Sequence, residues 1–216
     1  MRQYYAILTG ETKIARYHMY KHNIILASSS PRRIEMMKSN GINPMVIPAK
    51  IKENTPLYDG KTETCMFLAL KKALAVEEGL SDRQKSDCPY ILAADTVVYS
   101  DKIIGKPQDK ADALEILMSL SGKAHYVVTG VAILKAGTAV RTVFSSITKV
   151  YFKEYTAEDI AAYLETDEPY DKAGAYAIQG YFGRYVDHYE GSLNNVIGFP
   201  LEQIIPVLEE MQNENL

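Results

Sequence analysis

The chain has 216 residues, 47% of them hydrophobic, and a formal net charge of −3 at pH 7. This length allows one large domain or two small lobes, and the negative charge argues against nucleic acid as a partner. No apolar run is long enough to span a bilayer, and residues 1–22 lack the apolar centre of a secretory signal. Cys65 and Cys88 form no CxxC pattern, so we expect reduced thiols in a cytoplasmic protein without a membrane partner.

The first informative stretch joins a short apolar run, residues 24–27, to a helix that begins at Pro31. Ser28 and Ser30 lie at this junction, and Arg32 and Arg33 follow within the first helical turn. Free backbone N–H groups and the helix dipole favour an anion there, and guanidinium groups match phosphate oxygens. The pattern therefore predicts a phosphate-binding site, although an ordinary turn with solvated arginines is the alternative.

The next segments are predicted to be a strand over residues 44–48, a polar loop over 50–59 and a helix over 62–78. The loop contains one acidic residue of interest, Glu53. Lys71 and Lys72 are adjacent in the helix, so both cannot lie on its apolar stripe. At least one of them must point to solvent or to a cleft.

Residues 90–99 are rich in β-branched and aromatic side chains and are predicted to form a central strand. Asp95 lies inside this apolar run, and a buried carboxylate without a partner is strongly disfavoured. We therefore expect a cation, a metal ion or a cleft beside it, the alternative being a structural hydrogen-bond network. A tight turn leads back through residues 103–104, which would bring Lys106 towards Asp95.

The remaining pattern alternates helices and strands without internal repeats. Helices are predicted over residues 109–120, 156–164 and 200–211, and strands over 125–135, 140–152 and 185–189. Residues 167–180 are small, polar and glycine-rich, and such a long irregular segment is more often functional than not. Residues 191–195 are predicted to be a loop. This order predicts an α/β fold with a mixed twisted sheet and flanking helices.

Four segments together resemble one family, the Maf nucleoside triphosphate pyrophosphatases. The resemblance begins near Asn23 and implies two lobes around a cleft, as in the inosine triphosphate pyrophosphatases. It also implies hydrolysis of a nucleoside triphosphate to the monophosphate and pyrophosphate, assisted by a divalent cation such as Mg²⁺, Mn²⁺ or Co²⁺. The segments that carry it are 28–33, 94–98 with 105–107, 171–180 and 191–200.

The resemblance also implies roles for individual residues. Asp95 matches the family's proposed proton acceptor and would share a metal ion with Glu53. Lys72 and Lys106 match lysines that contact phosphate. Three positions tied to substrate choice match Arg32, Thr96 and Gln179. The form Ala-Tyr-Ala-Ile-Gln-Gly, residues 175–180, resembles the branch that acts on dTTP and UTP.

The resemblance divides the chain into an N-terminal extension, residues 1–22, and a single catalytic domain, residues 23–216. Two other functions stay open at this point. One is a pyrophosphatase for 7-methyl-GTP or another modified nucleotide, and the other is a nucleotide-binding regulator of cell division without turnover. The oligomeric state is also open, with a homodimer as one alternative.

Overall fold

Strands of very different length make up the sheet. The computed structural model describes residues 24–52, 60–87 and 89–213, so the N-terminal extension and Glu53 lie outside the described residues. The strands are β1 (Ile24–Leu26), β2 (Met45–Val46), β3 (Tyr90–Tyr99), β4 (Ile103–Ile104), β5 (Ala124–Lys135), β6 (Arg141–Phe152) and β7 (Val186–Glu190).

The described strands form one seven-stranded mixed sheet in the order β2-β1-β3-β5-β6-β7, with β4 also paired to β3. Strands β1 and β2 pair in parallel, as do β1 and β3, and the other pairings are antiparallel. Strands β3 and β5 are long and pair along the whole of β3, so they form the continuous centre of the sheet. The predicted mixed α/β fold is confirmed.

Helices cover both faces of this sheet. They are α1 (Pro31–Ser39), α2 (Lys61–Glu78), α3 (Asp82–Ser86), α4 (Lys110–Leu120), α5 (Ala157–Leu164), α6 (Leu193–Ile197) and α7 (Leu201–Asn213). Short 3₁₀ turns occupy Glu168–Asp171, Ala173–Ala175 and Tyr181–Tyr185, within and just after the segment predicted to be irregular. Helix α6 lies where the sequence predicted a loop, so that prediction was wrong. Ser192 caps this short helix, because its hydroxyl accepts a hydrogen bond from the backbone N–H of Asn195.

The alternation of β3 separates two kinds of packing. Ile91 and Ala93 pack with Ala69 and Ala73 of α2 on one face. On the opposite face Leu92 packs with residues of α1 and α7. Further along the strand, Val98 on this second face packs with α4, α5 and an aromatic cluster. Two helical groups thus share one face at opposite ends of β3, and the junction between them falls at the middle of the strand.

Candidate active site

One edge of β3 is open at its middle. Strand β5 occupies one edge along the whole strand, so β1 and β4 must share the other. Strand β1 ends opposite Leu92, and β4 reaches only Val98. The described strands therefore leave residues 93–97 unpaired on that edge. Because β1 runs parallel and β4 antiparallel to β3, both chains head towards Asp95 as they leave the sheet.

The Asp95 side chain forms a nearly buried ion pair. Asp95 is 8% exposed and lies on the same face as Ile91 and Ala93, beneath α2. The Nζ atom of Lys72 donates to Oδ1 of Asp95 at 2.5 Å. The neighbouring Lys71 instead donates to the carbonyl oxygen of Lys52 at 2.9 Å. Lys72 is thus the lysine of the pair that lies in the site, and Asp95 has the cation that its burial requires.

A glycine on β5 brings α2 close to Asp95. Gly130 is the register partner of Asp95. A Cβ atom on Gly130 would lie 2.3 Å from the backbone carbon of Cys65 in α2, closer than any real contact. The helix backbone therefore packs directly on the sheet at this point. Burial raises the pKa of the Cys65 thiol to about 12, and the nearby charge of Asp95 contributes in the same direction.

Arg33 fastens the first helix to the middle of β3. Its guanidinium donates to the carbonyl oxygen of Ala94 at 2.7 Å, to the Thr96 hydroxyl at 3.1 Å and to the carbonyl oxygen of Gly198 at 2.9 Å. The Ser28 hydroxyl accepts a longer bond from Arg33, at 3.4 Å, and another from the backbone N–H of Ser30. Arg33 and Ser28 therefore shape the loop and hold Thr96, on the face of the sheet opposite Asp95.

Arg32 and Lys106 approach the same region from opposite sides. Arg32 is half-buried, and the described residues give it no hydrogen bond or ion pair. Its positive charge lowers the pKa of the Tyr163 hydroxyl, whose overall pKa is raised mainly by burial, so Arg32 lies within electrostatic reach of α5. Lys106 is exposed directly after β4. Ser30 starts α1 without a side-chain cap, so its first N–H groups are available to an anion.

The segment that carries Gln179 is tied to the Lys106 loop and to the aromatic core. The N–H of Gly174 donates to the carbonyl oxygen of Gly105 at 3.0 Å. The Tyr163 hydroxyl donates to the carbonyl oxygen of Ala175, a residue held at φ 58°. The Gln179 side chain itself is exposed. The segments that hold Gln179 and Lys106 are thus joined by a backbone hydrogen bond.

Comparison with known proteins identifies the family of this chain. The family model described as "Maf-like protein" matches residues 23–211. A protein of Bacillus anthracis (strain CDC 684 / NRRL 3495), named dTTP/UTP pyrophosphatase, is 42% identical over 188 residues, which is 87% of this chain and 94% of that protein. A protein of the same name from Desulfitobacterium hafniense (strain Y51) is 42% identical over 84% of this chain and 82% of its own length.

The chain belongs to the Maf family. A HAM1 protein from Coxiella burnetii of known structure aligns at a TM-score of 0.39 and 14% identity, over 60% of this chain and 72% of that one. That likeness is too slight to carry an argument.

None of the helices in the described part of the chain is long and apolar enough to cross a membrane.

Two polar groups in the second half of this Maf chain were not predicted from its sequence. His125 is fully buried in β5, and its Nε2 lies 2.7 Å from the Tyr176 hydroxyl. Its Nδ1 has no hydrogen-bond partner among the described residues. The second group is Glu168, at the start of the 3₁₀ turn that follows α5. A histidine within an alternating apolar strand was the only local signal for the first, and nothing local distinguished the second.

Burial of His125 should make the stability of this Maf chain depend on pH. Burial lowers the pKa of His125 from 6.5 to about 4, so the folded state holds a neutral imidazole where the unfolded chain begins to bind a proton. The free energy of unfolding should therefore be unaffected by this group above about pH 6.5 and should fall as the pH drops towards 4. Urea unfolding of wild type and His125→Gln between those values measures the difference.

We expect unfolding of His125→Gln to take up as much as about one proton fewer than unfolding of wild type. The slope of unfolding free energy against pH should therefore be shallower by up to ~1.4 kcal/mol per pH unit. His188→Gln is the control, because His188 is exposed on β7. Equal slopes in wild type and His125→Gln would contradict the prediction.

Proposed function

We propose that this protein hydrolyses dTTP and UTP to the monophosphate and pyrophosphate, with a divalent cation as cofactor. The relatives named dTTP/UTP pyrophosphatase support this, since they match nearly their whole length. The observation that carries the proposal is the Asp95–Lys72 pair at the open edge of β3. The chain leaves β1 and β4 towards this edge, with Arg32 in the first turn of α1 and Lys106 in the loop after β4. A cytoplasmic location belongs to the same proposal, because nucleoside triphosphates are made and used there.

Asp95 would act as the proton acceptor for the attacking water. Its Oδ1 atom is held by Lys72, while the described residues donate no hydrogen bond to Oδ2. A carboxylate on a rigid central strand is aimed in one direction, which favours proton transfer from a positioned water. The ammonium of Lys72 stabilises the negative charge of the carboxylate and keeps it in place.

The cationic groups would bind the triphosphate and stabilise the leaving pyrophosphate. Arg32 offers a planar pair of donors, and Lys106 offers a flexible ammonium. The uncapped N–H groups at the start of α1 add fixed donors. Negative charge grows on the leaving oxygens as the bond at the α-phosphorus breaks, so donors in this position favour the transition state over the substrate.

The residues present fit a divalent cation in part. Mg²⁺ and Mn²⁺ prefer carboxylate oxygens, and Asp95 offers Oδ2. Among the residues that the structure describes, no three His, Cys, Asp or Glu side chains converge on one point, and Glu53, the other expected ligand, lies outside them. Asp95 and Glu53 would hold the cation, which would supply charge neutralisation at the phosphates and Lewis acidity.

Pyrophosphate release from a nucleotide panel tests the proposed function. The panel contains dTTP, UTP, CTP, GTP and 7-methyl-GTP, each with Mg²⁺, Mn²⁺ or Co²⁺ and with EDTA as the control. We expect the highest kcat/KM for dTTP and UTP, and no turnover in EDTA. A preference for 7-methyl-GTP would identify the alternative substrate class. Nucleotide binding without turnover under any condition would favour the regulator.

Replacement of Arg32 should weaken substrate binding more than folding. In Arg32→Ala we expect kcat/KM for UTP to fall roughly 10- to 100-fold, mostly through KM, because a charge-assisted contact contributes roughly 1.5–3 kcal/mol. The melting temperature should change little, since Arg32 is half-buried and the described residues give it no hydrogen bond. Lys38→Ala, an exposed cation on the same helix, is the matched control. Unchanged kcat and KM would mean that Arg32 does not contact the substrate.

A further inference from the structure

One oxygen of the half-buried Glu168 side chain lacks the donor that a buried acceptor needs. Its Oε1 atom is buried and has no hydrogen-bond partner among the described residues. The backbone of the same residue is well tied, because its N–H donates to the Thr166 hydroxyl and its carbonyl oxygen accepts from Lys172 at 2.8 Å. Leaving a buried acceptor unpaired is costly. Each such group in a folded protein therefore requires an explanation.

This carboxylate lies beside Gly180, the residue that follows Gln179, which is expected to contact the base. A Cβ atom on Gly180 would lie 1.9 Å from Oε1 and 2.9 Å from Oε2 of Glu168, so the carboxylate rests against the glycine backbone. Gly180 and its neighbour Gln179 are both exposed. The carboxylate therefore lies directly against the backbone of an exposed segment, and Gly180 has no side chain that would displace it.

The negative charge of Glu168 affects Tyr163, which lies at the junction between the two helical groups. Burial raises the pKa of Tyr163, and the negative charge of Glu168 raises it further, whereas Arg32 lowers it. Tyr163 thus lies within electrostatic reach of both groups. A nucleotide whose phosphates lie near Arg32 could place its base near Glu168 and Gln179.

We propose that Glu168 recognises the N3–H group of uracil or thymine, while the Gln179 amide donates to a neighbouring carbonyl oxygen of the base. This inference rests on the proposed function and deepens it. An ionised carboxylate is an acceptor only. Uracil and thymine present a donor at N3, whereas cytosine presents a lone pair there. A carboxylate that faces N3 therefore rejects cytosine by repulsion as well as by the loss of a hydrogen bond.

Glu168→Gln tests the inference, because the side chain keeps its size but loses its charge and half of its acceptor capacity. Dissociation constants for UTP, CTP and 3-methyl-UTP are measured by calorimetry in EDTA, so that the result does not depend on turnover. The methyl group on 3-methyl-UTP removes the N3–H donor. Its bulk affects both proteins alike, so the comparison between them isolates the hydrogen bond.

We expect wild type to bind UTP about 10- to 100-fold more tightly than CTP or 3-methyl-UTP. In Glu168→Gln both ratios should shrink by about tenfold, mainly through weaker UTP binding. Asp167→Asn is the matched control, since it removes an exposed carboxylate next in the chain, and it should keep both ratios. Melting curves establish that each variant is folded.

Unchanged ratios in Glu168→Gln would overturn the inference, whether binding of all three nucleotides stayed the same or weakened uniformly. Absence of UTP binding to wild type would overturn it as well. Failure of the proposed function would look different, because the wild-type ratios could be intact while no pyrophosphate was released in the presence of metal.

Discussion

Asp95→Asn should lower kcat for UTP by ~10²–10⁴-fold, the usual effect of losing a general base. Asparagine has nearly the same shape and keeps an oxygen that can accept from Lys72. It cannot take a proton from water at neutral pH. Its uncharged amide oxygen is also a weaker ligand for a divalent cation than a carboxylate oxygen. The measurement is kcat from pyrophosphate release at saturating UTP, together with a thermal melt.

The matched control is Asp101→Asn, which removes an exposed carboxylate from the turn between β3 and β4. We expect this variant to keep wild-type kcat, since Asp101 lies beyond the end of the strand that holds Asp95. If Asp95→Asn is folded and retains wild-type kcat, then Asp95 is neither the proton acceptor nor an essential metal ligand.

Local sequence pattern was sufficient to find the strand that holds the site. An apolar run with one aspartate at its centre predicted both β3 and an unusual environment for Asp95. The hairpin through β4 was also predicted and is confirmed by its register. These features depend on residues close together in the chain, so periodicity and turn residues reveal them.

The two adjacent lysines show why local pattern could not go further. Lys71 and Lys72 are alike in chemistry and neighbours in sequence, and the helical period alone did not decide which one faces the sheet. Their roles are fixed by the rotation of α2, and the close contact of Cys65 with Gly130 helps to set that rotation. That contact joins residues that are far apart in the chain, and nothing in residues 62–78 encodes it.

The two arginines divide in the same way. Arg33 donates to the carbonyl oxygen of Gly198, which is 165 residues further along the chain, whereas the described residues give Arg32 no hydrogen bond or ion pair. Both were predicted to bind phosphate because both follow Pro31. Glu168 escaped notice for a related reason, since its position beside Gly180 depends on how two turns fold back on each other.

Lys72→Met should destabilise the fold and impair catalysis together. The side chains of Lys72 and Asp95 are only 14% and 11% exposed, so removing the ammonium leaves a nearly buried carboxylate uncompensated. Breaking such a pair from one side typically costs about 3–5 kcal/mol. We also expect kcat/KM for UTP to fall at least about tenfold, because a charge-assisted contact is lost. Urea unfolding and pyrophosphate release measure the two effects.

The neighbouring Lys71 provides the control, and a double variant tests the cause of the lost stability. Lys71→Met removes a similar lysine whose bond goes to the Lys52 carbonyl oxygen, and at this more exposed position we expect a loss below about 1 kcal/mol. If the cost of Lys72→Met comes from the stranded carboxylate, then Asp95→Asn/Lys72→Met should be more stable than Lys72→Met alone, since the double variant no longer contains the uncompensated Asp95 carboxylate. Two results would mean that the ion pair does not hold Asp95 in place. One is an equal loss of unfolding free energy in Lys71→Met and Lys72→Met. The other is a loss in Asp95→Asn/Lys72→Met equal to the sum of the losses in Asp95→Asn and Lys72→Met.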